Sequence, residues 1–556
     1  MSELKKTVCV IGAGESGLAA LKECVLQGME PTCYDLDSDI GGMWHAKPAT
    51  DASRNTPAIW PSLISNNSKH NMCFSDFPPD DKDPVFLSPK QLCAYFKRAV
   101  NHFGLEKYIH LRTRVVRIRE TPDHEKTGRW EVYTCPSHVR VDGQEELANC
   151  RKQIFDNVII CAGWYKKPQY PDSLGLEKFQ GVISHSFNYS GPRSFDGKKV
   201  LVVGNRFSAA EITSDVANYA SETYMALGKG TWILPRLFKG GSTFDLSIPR
   251  KMVWSGNHEL QFNEFVVEEA NRKLDHEKTG IRRASMPYGS AFCFSDELPV
   301  KIASGKIKAY GNLSTLGENS ATFDDGETVT GLDAVIFCTG YSTELSFIDT
   351  KIHDSDGRME LFMMVFPLHR AHSTLAVIGH YATDGPMVVM GENQARLAVS
   401  VMSGRHALPS QEEMAHSVQF WNDASSSRTT GFHRYYLPGF AFMDAIAEEG
   451  GFYPSFWKIF IRDPVLAWRT WHGPYLAAQY RLVGPGSQWD SARRICLRAH
   501  QEGFSCVRHK NRKESQHLGS RDKLKRKSIF KSTNSVVGLC VVLSGLVCLG
   551  LFGKSW

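Results

Sequence analysis

The fold of this 556-residue chain is decided near its N-terminus by the stretch VCVIGAGESG at residues 8–17. An apolar run ends in the glycine spacing G-x-G-x-x-G, and residues 17–28 then have the composition of a helix. In such a strand–turn–helix unit Gly12 permits the tight turn, Gly14 lets the backbone approach a pyrophosphate, and Gly17 allows the helix to pack on the strand. The helix N-terminus offers free N–H groups and a positive dipole end to the phosphates. The stretch therefore predicts a dinucleotide-binding site.

An acidic residue follows this turn at the expected distance. The next strand-like stretch, residues 31–35, ends in Asp35. A carboxylate about 20 residues past the glycines is placed to hold a ribose hydroxyl. The alternative is a buried strand–turn–helix unit that binds nothing.

A second, divergent copy of the turn lies about 190 residues further along, in VLVVGNRFSA at residues 200–209. Gly204 is the glycine that is retained, Ala209 still permits fairly close packing, and Arg206 places a positive charge near the expected pyrophosphate. A damaged site without a ligand is the alternative here. Two dinucleotide turns in one chain predict that one nucleotide passes electrons to another, most simply a reduced nicotinamide to a flavin.

Composition and charge narrow the class of protein. Hydrophobic residues make up 42% of the chain and charged residues 22%, as in ordinary globular enzymes. The fourteen cysteines include no C-x-x-C pair, so we predict neither a metal site nor a dithiol centre. The net charge of +6 comes from a basic run at residues 508–531, and the rest of the chain gives no reason to expect nucleic-acid binding.

The C-terminal segment at residues 535–552, SVVGLCVVLSGLVCLGLF, carries no charged residue. As a helix it would be roughly 27 Å long, enough for a thin bilayer such as that of the endoplasmic reticulum. The basic run before it is typical of a cytosolic juxtamembrane segment. These features predict a tail-anchor transmembrane helix, with a buried or a monotopic helix as the alternatives.

Further motifs lie between the two turns and beyond them. The sequence GGMW at 41–44 is suited to backbone passing close to a cofactor, and ISNNSK at 64–69 is a polar run between apolar stretches. Two strands that end in small residues, at 155–163 and 333–341, indicate crossings between domains. The sequence FQGVISHSFNY at 179–189 fits the pattern F-x-G-x-x-x-H-x-x-x-Y.

On these motifs the chain resembles the flavin-containing monooxygenases, for which F-x-G-x-x-x-H-x-x-x-Y is an identifying signature. The run NNSK at 66–69, FCTGY at 337–341, the pair Gln394 and Arg396, and YRLVGPG at 480–486 follow in the family's order. The late run and the tail look like the microsomal, animal-type dimethylaniline monooxygenases. The resemblance implies an α/β fold with two Rossmann-like dinucleotide-binding domains, an NADPH domain inserted in an FAD domain, followed by a C-terminal helical region and the anchor.

The same resemblance implies a division of the chain. The expected parts are the FAD-binding domain at 1–158 and 334–446, the NADPH-binding domain with an insertion at 159–333, an aromatic-rich subdomain at 447–506, a basic linker at 507–534 and the transmembrane helix at 535–552. The aromatic-rich region itself, residues 432–480, is open to two interpretations, extra core or a lipid-facing surface.

Site residues are carried over by resemblance as well. FAD would be held by Gly12, Ala13, Gly14, Glu15, Ser16, Gly17, Asp35, Met43, Trp44, Asn66, Asn67 and Gln394. NADPH would be held by Ser65, Asn66, Gly204, Ser208, Ala209, Ala210 and Glu211.

Three further roles follow from chemistry and resemblance together. Asn66 is the expected catalytic residue, because an amide donates a hydrogen bond without releasing a proton at neutral pH. Relatives often have Arg where this chain has Gly228, so Lys229 and Arg236 are the candidate cations for the 2′-phosphate of NADPH. We interpret His185 of the signature as structural rather than as a base.

The implied reaction is the reduction of FAD by NADPH, the addition of O2 to give a peroxyflavin, and oxygen transfer to a soft nitrogen or sulfur of a small amine or sulfide. Alternatives within the same cofactor chemistry are a Baeyer–Villiger oxygenase and an uncoupled NADPH oxidase that releases hydrogen peroxide. A non-catalytic flavin-binding membrane scaffold is a further alternative. The expected location is the endoplasmic reticulum membrane with the body facing the cytosol, and a homo-oligomer is left open.

Overall fold

The structure is a computed structural model that describes residues 5–47, 57, 59–139, 147, 149–172, 174–285, 287, 292–355, 357–426 and 436–502. The predicted basic linker and the predicted transmembrane helix at 535–552 lie outside these residues. Across the part of the chain that is described, no helix has both the length and the apolar character needed to cross a membrane. The tail anchor therefore stays a prediction.

A parallel five-stranded sheet carries the first glycine turn. Its central strand is Thr7–Ile11, and Val8, Cys9 and Val10 in it are fully buried. A parallel strand covered on both faces reads as a continuous apolar run, which is why the sequence signal was clear. The order of strands across this first sheet is Leu375–Val377, Asn157–Ile160, Thr7–Ile11, Glu30–Tyr34 and Ile109–His110.

A second parallel five-stranded sheet carries the second turn. Strand Lys199–Val203 leads directly into the turn and then into helix Phe207–Val216. The order across this second sheet is Ile307–Tyr310, Glu222–Ala226, Lys199–Val203, Ala334–Phe337 and Val182–His185. The two sheets confirm the predicted mixed α/β class with two Rossmann-like units.

The sequence-based division disagrees with the sheets at two boundaries. The predicted boundary at 158/159 falls inside strand Asn157–Ile160, which lies wholly in the first sheet. Strand Ala334–Phe337 pairs with Lys199–Val203 and Val182–His185, so it belongs to the second sheet, although the predicted boundary at 333/334 assigned it to the first domain. The chain returns to the first sheet at Leu375–Val377. The stretches at 155–163 and 333–341 both end in small residues. This local pattern does not specify which sheet a strand joins. The division into domains remains a prediction, with both boundaries moved beyond these strands.

Smaller sheets and helices complete the described part. Two antiparallel sheets are formed by Thr113–Glu120, Trp130–Pro136 and Arg151–Phe155, and by Leu313–Leu316, Ser320–Phe323 and Thr328–Thr330. Strand pairs are Trp232–Leu234 with Phe292–Phe294, Leu361–Phe362 with Phe366–Pro367, and Ala382–Thr383 with Tyr436–Leu437. The α-helices are Glu15–Leu26, Pro89–His102, His124–Thr127, Phe207–Val216, Phe244–Ser247, Arg250–Val253, His258–Asn271, Leu298–Ala303, Met387–Met402, Gln411–Ser426, Gly439–Glu449, Phe456–Phe460, Pro464–His472 and Trp489–Glu502.

A buried ionic cluster fastens the first helix to the rest of the molecule. Lys22 on helix Glu15–Leu26 is fully buried, with Nζ 2.6 Å from Asp76 and a further ion pair to Glu392. Arg481 places Nη2 2.7 Å from Glu23 and 3.1 Å from Glu392. Burial alone would raise the pKa of Glu392, but the neighbouring cations Lys22 and Arg481 outweigh it and lower that pKa to about 2. Each of these three carboxylates is therefore paired with Lys22 and with Arg481.

In the aromatic-rich region, some of the large apolar side chains belong to the core and others lie on the surface. Phe442 and Tyr475 are buried in the core. Trp457, Ile461 and Trp468, on or beside the helices Phe456–Phe460 and Pro464–His472, are 69%, 86% and 60% exposed. Part of the region is core, and part presents large apolar side chains to the surface.

Candidate active site

Both glycine turns open on one cleft. Its volume is about 1640 Å³, larger than the 300–1,000 Å³ of a typical pocket for one small ligand. The lining residues come from the first turn, from the second turn and from a loop at residues 65–67 between them. The sheets thus bring together, in one cavity, the three segments that the sequence predicted to act together.

The glycines of the first turn are required by close backbone contacts. Gly12 has φ +102°, and a Cβ there would lie 2.4 Å from the carbonyl oxygen of Cys161. A Cβ on Gly17 would lie 1.7 Å from the carbonyl oxygen of Gly12. Gly14 faces Gly42, where an added Cβ would meet the Gly14 Cα at 3.0 Å. The turn is therefore closed tightly, with the start of helix Glu15–Leu26 open toward the cleft.

Asp35 lies at the carboxyl end of strand Glu30–Tyr34 and lines the cleft. Its Oδ2 accepts a hydrogen bond from the backbone N–H of Ala13 at 2.6 Å, and its Oδ1 accepts one from the N–H of Asp37 at 2.7 Å. Burial raises the pKa of this carboxyl group, and the two backbone donors oppose that rise. Each carboxylate oxygen retains acceptor capacity, so Asp35 can accept a further hydrogen bond from a group in the cleft.

The short helix Gly42–Trp44 contributes an aromatic side chain to the wall of the cleft. Met43 and Trp44 line the cleft, and Trp44 Nε1 donates to Glu15 Oε2 at 2.9 Å. Burial raises the pKa of Glu15, and this bond opposes the rise. Glu15 thus fixes the indole beside the first helix.

Four of the predicted cofactor residues do not line the cleft: Ala13, Gly17, Ala210 and Gln394. The first three are turn or helix residues that face the packed interior. Gln394 is fully buried, its Oε1 accepts from the N–H of Gly379 at 3.0 Å, and its Nε2 donates to the carbonyl oxygens of Met363 and Met364. Gly379 does line the cleft, so Gln394 supports the wall from behind.

The loop that carries Asn66 is shaped by the residue before it. Ser65 Oγ accepts from the N–H of Leu87 at 2.9 Å and donates to the carbonyl oxygen of Asn67 at 3.0 Å. Asn66 and Asn67 are half-buried and line the cleft. Asn66 Oδ1 accepts a hydrogen bond from Arg236 Nη2 at 3.2 Å. With its oxygen held from behind, the amide is left with its NH2 group as the donor.

The second turn retains the essential close contact despite its divergence. Gly204 has φ +146°, and a Cβ there would meet the carbonyl oxygen of Cys338 at 2.8 Å. Gly204, Ser208, Ala209 and Glu211 all line the cleft. Phe207 begins the helix and stacks on Phe294 with ring centroids 5.8 Å apart. The turn is intact as backbone, and an aromatic wall stands beside it.

The cations of the second turn differ from the sequence-based candidates. Arg236 is 5% exposed, pairs with Glu211 at 2.6 Å and is not among the residues that line the cleft. Lys229 does line it, together with Arg206 and Arg283. The pKa of Arg283 is lowered by burial and by the proximity of Arg206. Arg283 was missed by sequence reasoning, since the signal available was only a basic pair in an irregular stretch.

His185 has the structural environment that we expected. It is fully buried at the end of strand Val182–His185, and its Nδ1 accepts from the N–H of Phe187 at 3.1 Å. Burial lowers its pKa to about 4, so the ring is neutral at physiological pH. Its ring packs edge-on against Tyr341.

A glycine turn with an acid at the ribose position, a second turn flanked by cations, and a shared cleft define an oxidoreductase that binds two dinucleotides. Comparison with known proteins makes the class specific. A family model described as flavin-binding monooxygenase-like matches residues 5–543. The chain belongs to the flavin-containing monooxygenase family, and it is an FAD-dependent monooxygenase that uses NADPH.

Relatives of similar length support this assignment. The chain is 33% identical over 503 residues to flavin-containing monooxygenase 5 of Rattus norvegicus, which covers 89% of this chain and 91% of the relative. It is 32% identical over 556 residues to flavin-containing monooxygenase 2 of Homo sapiens, with 98% and 99% covered.

Solved structures share the fold. S-allyl-L-cysteine S-oxygenase from Allium sativum has a TM-score of 0.58 at 21% identity, with 95% of this chain and all of that chain covered. Cyclohexanone monooxygenase from Rhodococcus sp. Phi1, bound to NADP+, has a TM-score of 0.55 at 14% identity, with 80% and 97% covered.

The residues present fit both cofactors. The tight first turn, with no side chain at its glycines and Asp35 at its edge, suits the pyrophosphate and ribose of FAD. The second turn, with Arg206, Lys229 and Arg283 on the cleft wall, suits a dinucleotide that carries an additional phosphate.

Proposed function

We propose that the protein oxygenates soft nitrogen or sulfur atoms of small amines and sulfides, with NADPH and O2 as co-substrates. The observation that carries the proposal is Asn66, an amide at the junction of the two turns whose oxygen is occupied by Arg236. When bound, FAD supplies hydride acceptance and oxygen activation, which the protein's own side chains cannot perform.

The chain's own residues have three tasks in this chemistry. They bind the two dinucleotides, present the Asn66 NH2 group as a donor that cannot release its proton at neutral pH, and keep bulk water away. Phe207, Phe292 and Phe294 line the cleft, where Phe207 packs against the other two rings, and they supply apolar surface for the last task. Acid–base catalysis by His185 is not part of the proposal, because that ring is buried and neutral.

The test compares NADPH consumption with hydrogen peroxide release by the purified, FAD-loaded protein. A tertiary amine, a thioether and a cyclic ketone serve as separate substrates. Consumption matched by N-oxide or S-oxide supports the proposal. Lactone formation from the ketone would replace it with Baeyer–Villiger chemistry, and near-complete peroxide release with every substrate would replace it with oxidase chemistry.

Two variants sharpen this test. Asn66→Ala removes the donor and is expected to raise the ratio of peroxide to oxygenated product about tenfold, the value of one buried hydrogen bond of roughly 1.4 kcal/mol. Asn66→Asp is the matched control for shape, since it keeps the contact with Arg236 but cannot donate when ionised. Equal coupling in wild type and both variants would remove Asn66 from the mechanism.

We further propose that Arg206, Lys229 and Arg283 select NADPH over NADH. All three line the cleft near the second turn, and the guanidinium groups offer the paired donors that bind phosphate oxygens. Arg206 lies with Cζ 5.1 Å from the ring centroid of Tyr436, which limits the positions of that side chain.

Membrane location is the remaining part of the proposal. The segment 535–552 would anchor the protein in the endoplasmic reticulum membrane, with the body on the cytosolic side. The exposed side chains Trp457, Ile461 and Trp468, with Lys458 and Arg462 exposed among them, have the composition of a surface that rests on lipid.

Placing two lysines in the segment, at Val541 and Leu546, is expected to move the full-length chain from the membrane to the soluble fraction. Retention on membranes would assign attachment to the exposed aromatic surface instead.

A further inference from the structure

The loop at residues 65–71, called here the amide loop, is held by side chains from a distant part of the chain. Arg236 and Asp245 both follow strand Trp232–Leu234, which lies beyond the second turn in sequence. Arg236 contacts Asn66 across a separation of 170 residues. Side chains that lie far from the amide loop in sequence therefore hold it in place.

Asp245 holds the middle of the amide loop. This carboxylate is fully buried, accepts from Ser68 Oγ at 2.6 Å and from the Ser68 N–H at 3.1 Å, and accepts from Asn71 Nδ2 at 2.9 Å. Thr243 Oγ1 donates to its other oxygen at 2.7 Å. A buried carboxylate that accepts four hydrogen bonds from the chain is a strong anchor for the loop.

Arg236 holds the end of the loop that carries Asn66. Its Nη2 is shared between Glu211 Oε1 at 2.6 Å and Asn66 Oδ1 at 3.2 Å. Glu211 lies on helix Phe207–Val216, whose first turn is part of the second dinucleotide site. Glu211 and Asn66 face the cleft, whereas Arg236 lies behind them. One guanidinium group therefore joins the second dinucleotide turn to the amide.

We infer that Arg236 is a positioning residue: it transmits occupancy of the second dinucleotide turn to the orientation of the Asn66 amide. A dinucleotide that settles the first turn of helix Phe207–Val216 also settles Glu211, and through Arg236 it fixes which face of the amide donates into the cleft. The inference rests on the proposed role of Asn66, but its contacts exist without any bound ligand. By linkage, ordering of the amide loop and binding of the dinucleotide reinforce each other.

The test uses hydrogen exchange of the full-length protein, with NADP+ as the probe and no turnover. In the wild type, NADP+ is expected to slow amide exchange in residues 65–71. In Arg236→Met, exchange there is expected to be about tenfold faster in the free protein, and NADP+ is expected no longer to slow it. NADP+ affinity itself, measured by titration, is expected to change less than about threefold, because the cations that line the cleft are untouched.

Two further variants make the result decisive. Arg236→Lys keeps a cation beside Glu211 but lacks the planar guanidinium group whose Nη2 bonds both Glu211 and Asn66, so it is expected to fold normally and still exchange faster. Arg272→Met, which removes a partly exposed arginine paired with Glu268, is the control and is expected to leave the amide loop unchanged.

Wild-type exchange in both Arg236 variants would overturn the inference. In turnover, Arg236→Lys is expected to release more peroxide without a matching change in the KM for NADPH. If no variant or wild type oxygenates any substrate but the exchange pattern holds, the proposed function fails and the positioning role stands.

Discussion

Replacement of Lys22 by methionine tests the buried ionic cluster behind the first glycine turn. Lys22 Nζ lies 2.6 Å from Asp76 and 3.3 Å from Glu23, and it also pairs with Glu392. Methionine fills a similar volume but leaves three buried carboxylates with Arg481 as their cation. Removing one partner of a buried ion pair costs about 3–5 kcal/mol, because the remaining charge is left uncompensated.

The expected fall in melting temperature is roughly 6–10 °C, using about 2 °C per kcal/mol, the lower value for domains of 150–250 residues. The assay is thermal unfolding of the purified protein at saturating FAD, followed by far-UV circular dichroism at a fixed scan rate. Lys97→Met is the matched control: Lys97 Nζ lies 2.5 Å from Asp39, but the side chain is 53% exposed. An exposed pair is worth about 0–1 kcal/mol, so this variant is expected to unfold close to the wild type.

The loss of stability in Lys22→Met is also expected to depend on pH. In the wild type the depressed pKa of Glu392, about 2, contributes stability that is present above its unfolded value and lost as the pH falls through 2. In Lys22→Met the part of that contribution that Lys22 supplies is lost, so the deficit is expected to be largest near pH 7 and to shrink below the unfolded pKa of about 4.3. Equal melting temperatures for Lys22→Met and Lys97→Met at pH 7 would refute the account.

Three further results are expected. Gly12→Ala places a methyl group 2.4 Å from the Cys161 carbonyl oxygen and is expected to abolish FAD retention on purification, measured by absorbance; a yellow, stoichiometric protein would contradict the turn geometry. Arg283→Ala is expected to raise the KM for NADPH about tenfold or more and leave that for NADH nearly unchanged, since one charge-assisted bond is worth about 1.5–3 kcal/mol; parallel changes would remove it from 2′-phosphate selection. Burial lowers the pKa of Lys166 to about 8, so between about pH 8 and 10 the unfolded state binds more protons than the folded state, and the cofactor-free protein is expected to become more stable as the pH rises. Lys166→Met is expected to lack this gain when the free energy of unfolding is measured in urea at each pH. The same dependence of stability on pH in the variant would assign the gain to another group.

Local spacing made much of the fold predictable. The first turn and Asp35 follow from glycine geometry and strand length, which depend on neighbours in sequence. The sheet to which strand Ala334–Phe337 belongs did not follow, because a buried apolar strand carries no mark of its partners. Parallel sheets in general are specified by long-range packing.

The residues that line the cleft were largely predictable from the sequence, and those behind its wall were less so. Asn66 and Trp44 line the cleft as expected from the resemblance, whereas Gln394 is held entirely by backbone groups and does not reach it. Arg236 was assigned to a phosphate because it is a cation near the second turn. Its pairing with Glu211 and Asn66 depends on segments 25 and 170 residues away, a relation that no local pattern records.

Because Arg236 and Asp245 contact the amide loop from a distant segment, they affect the design of chimaeric proteins within this family. A chimaera that exchanged the NADPH half for that of a relative would also exchange the two side chains that hold the amide loop, Arg236 at Asn66 and Asp245 at Ser68 and Asn71. In such a hybrid the ratio of oxygenated product to hydrogen peroxide would depend on the relative that supplied the NADPH half, even if every residue that contacts the flavin were unchanged. Recombination points that keep residues 232–245 with their own amide loop are therefore the ones to choose.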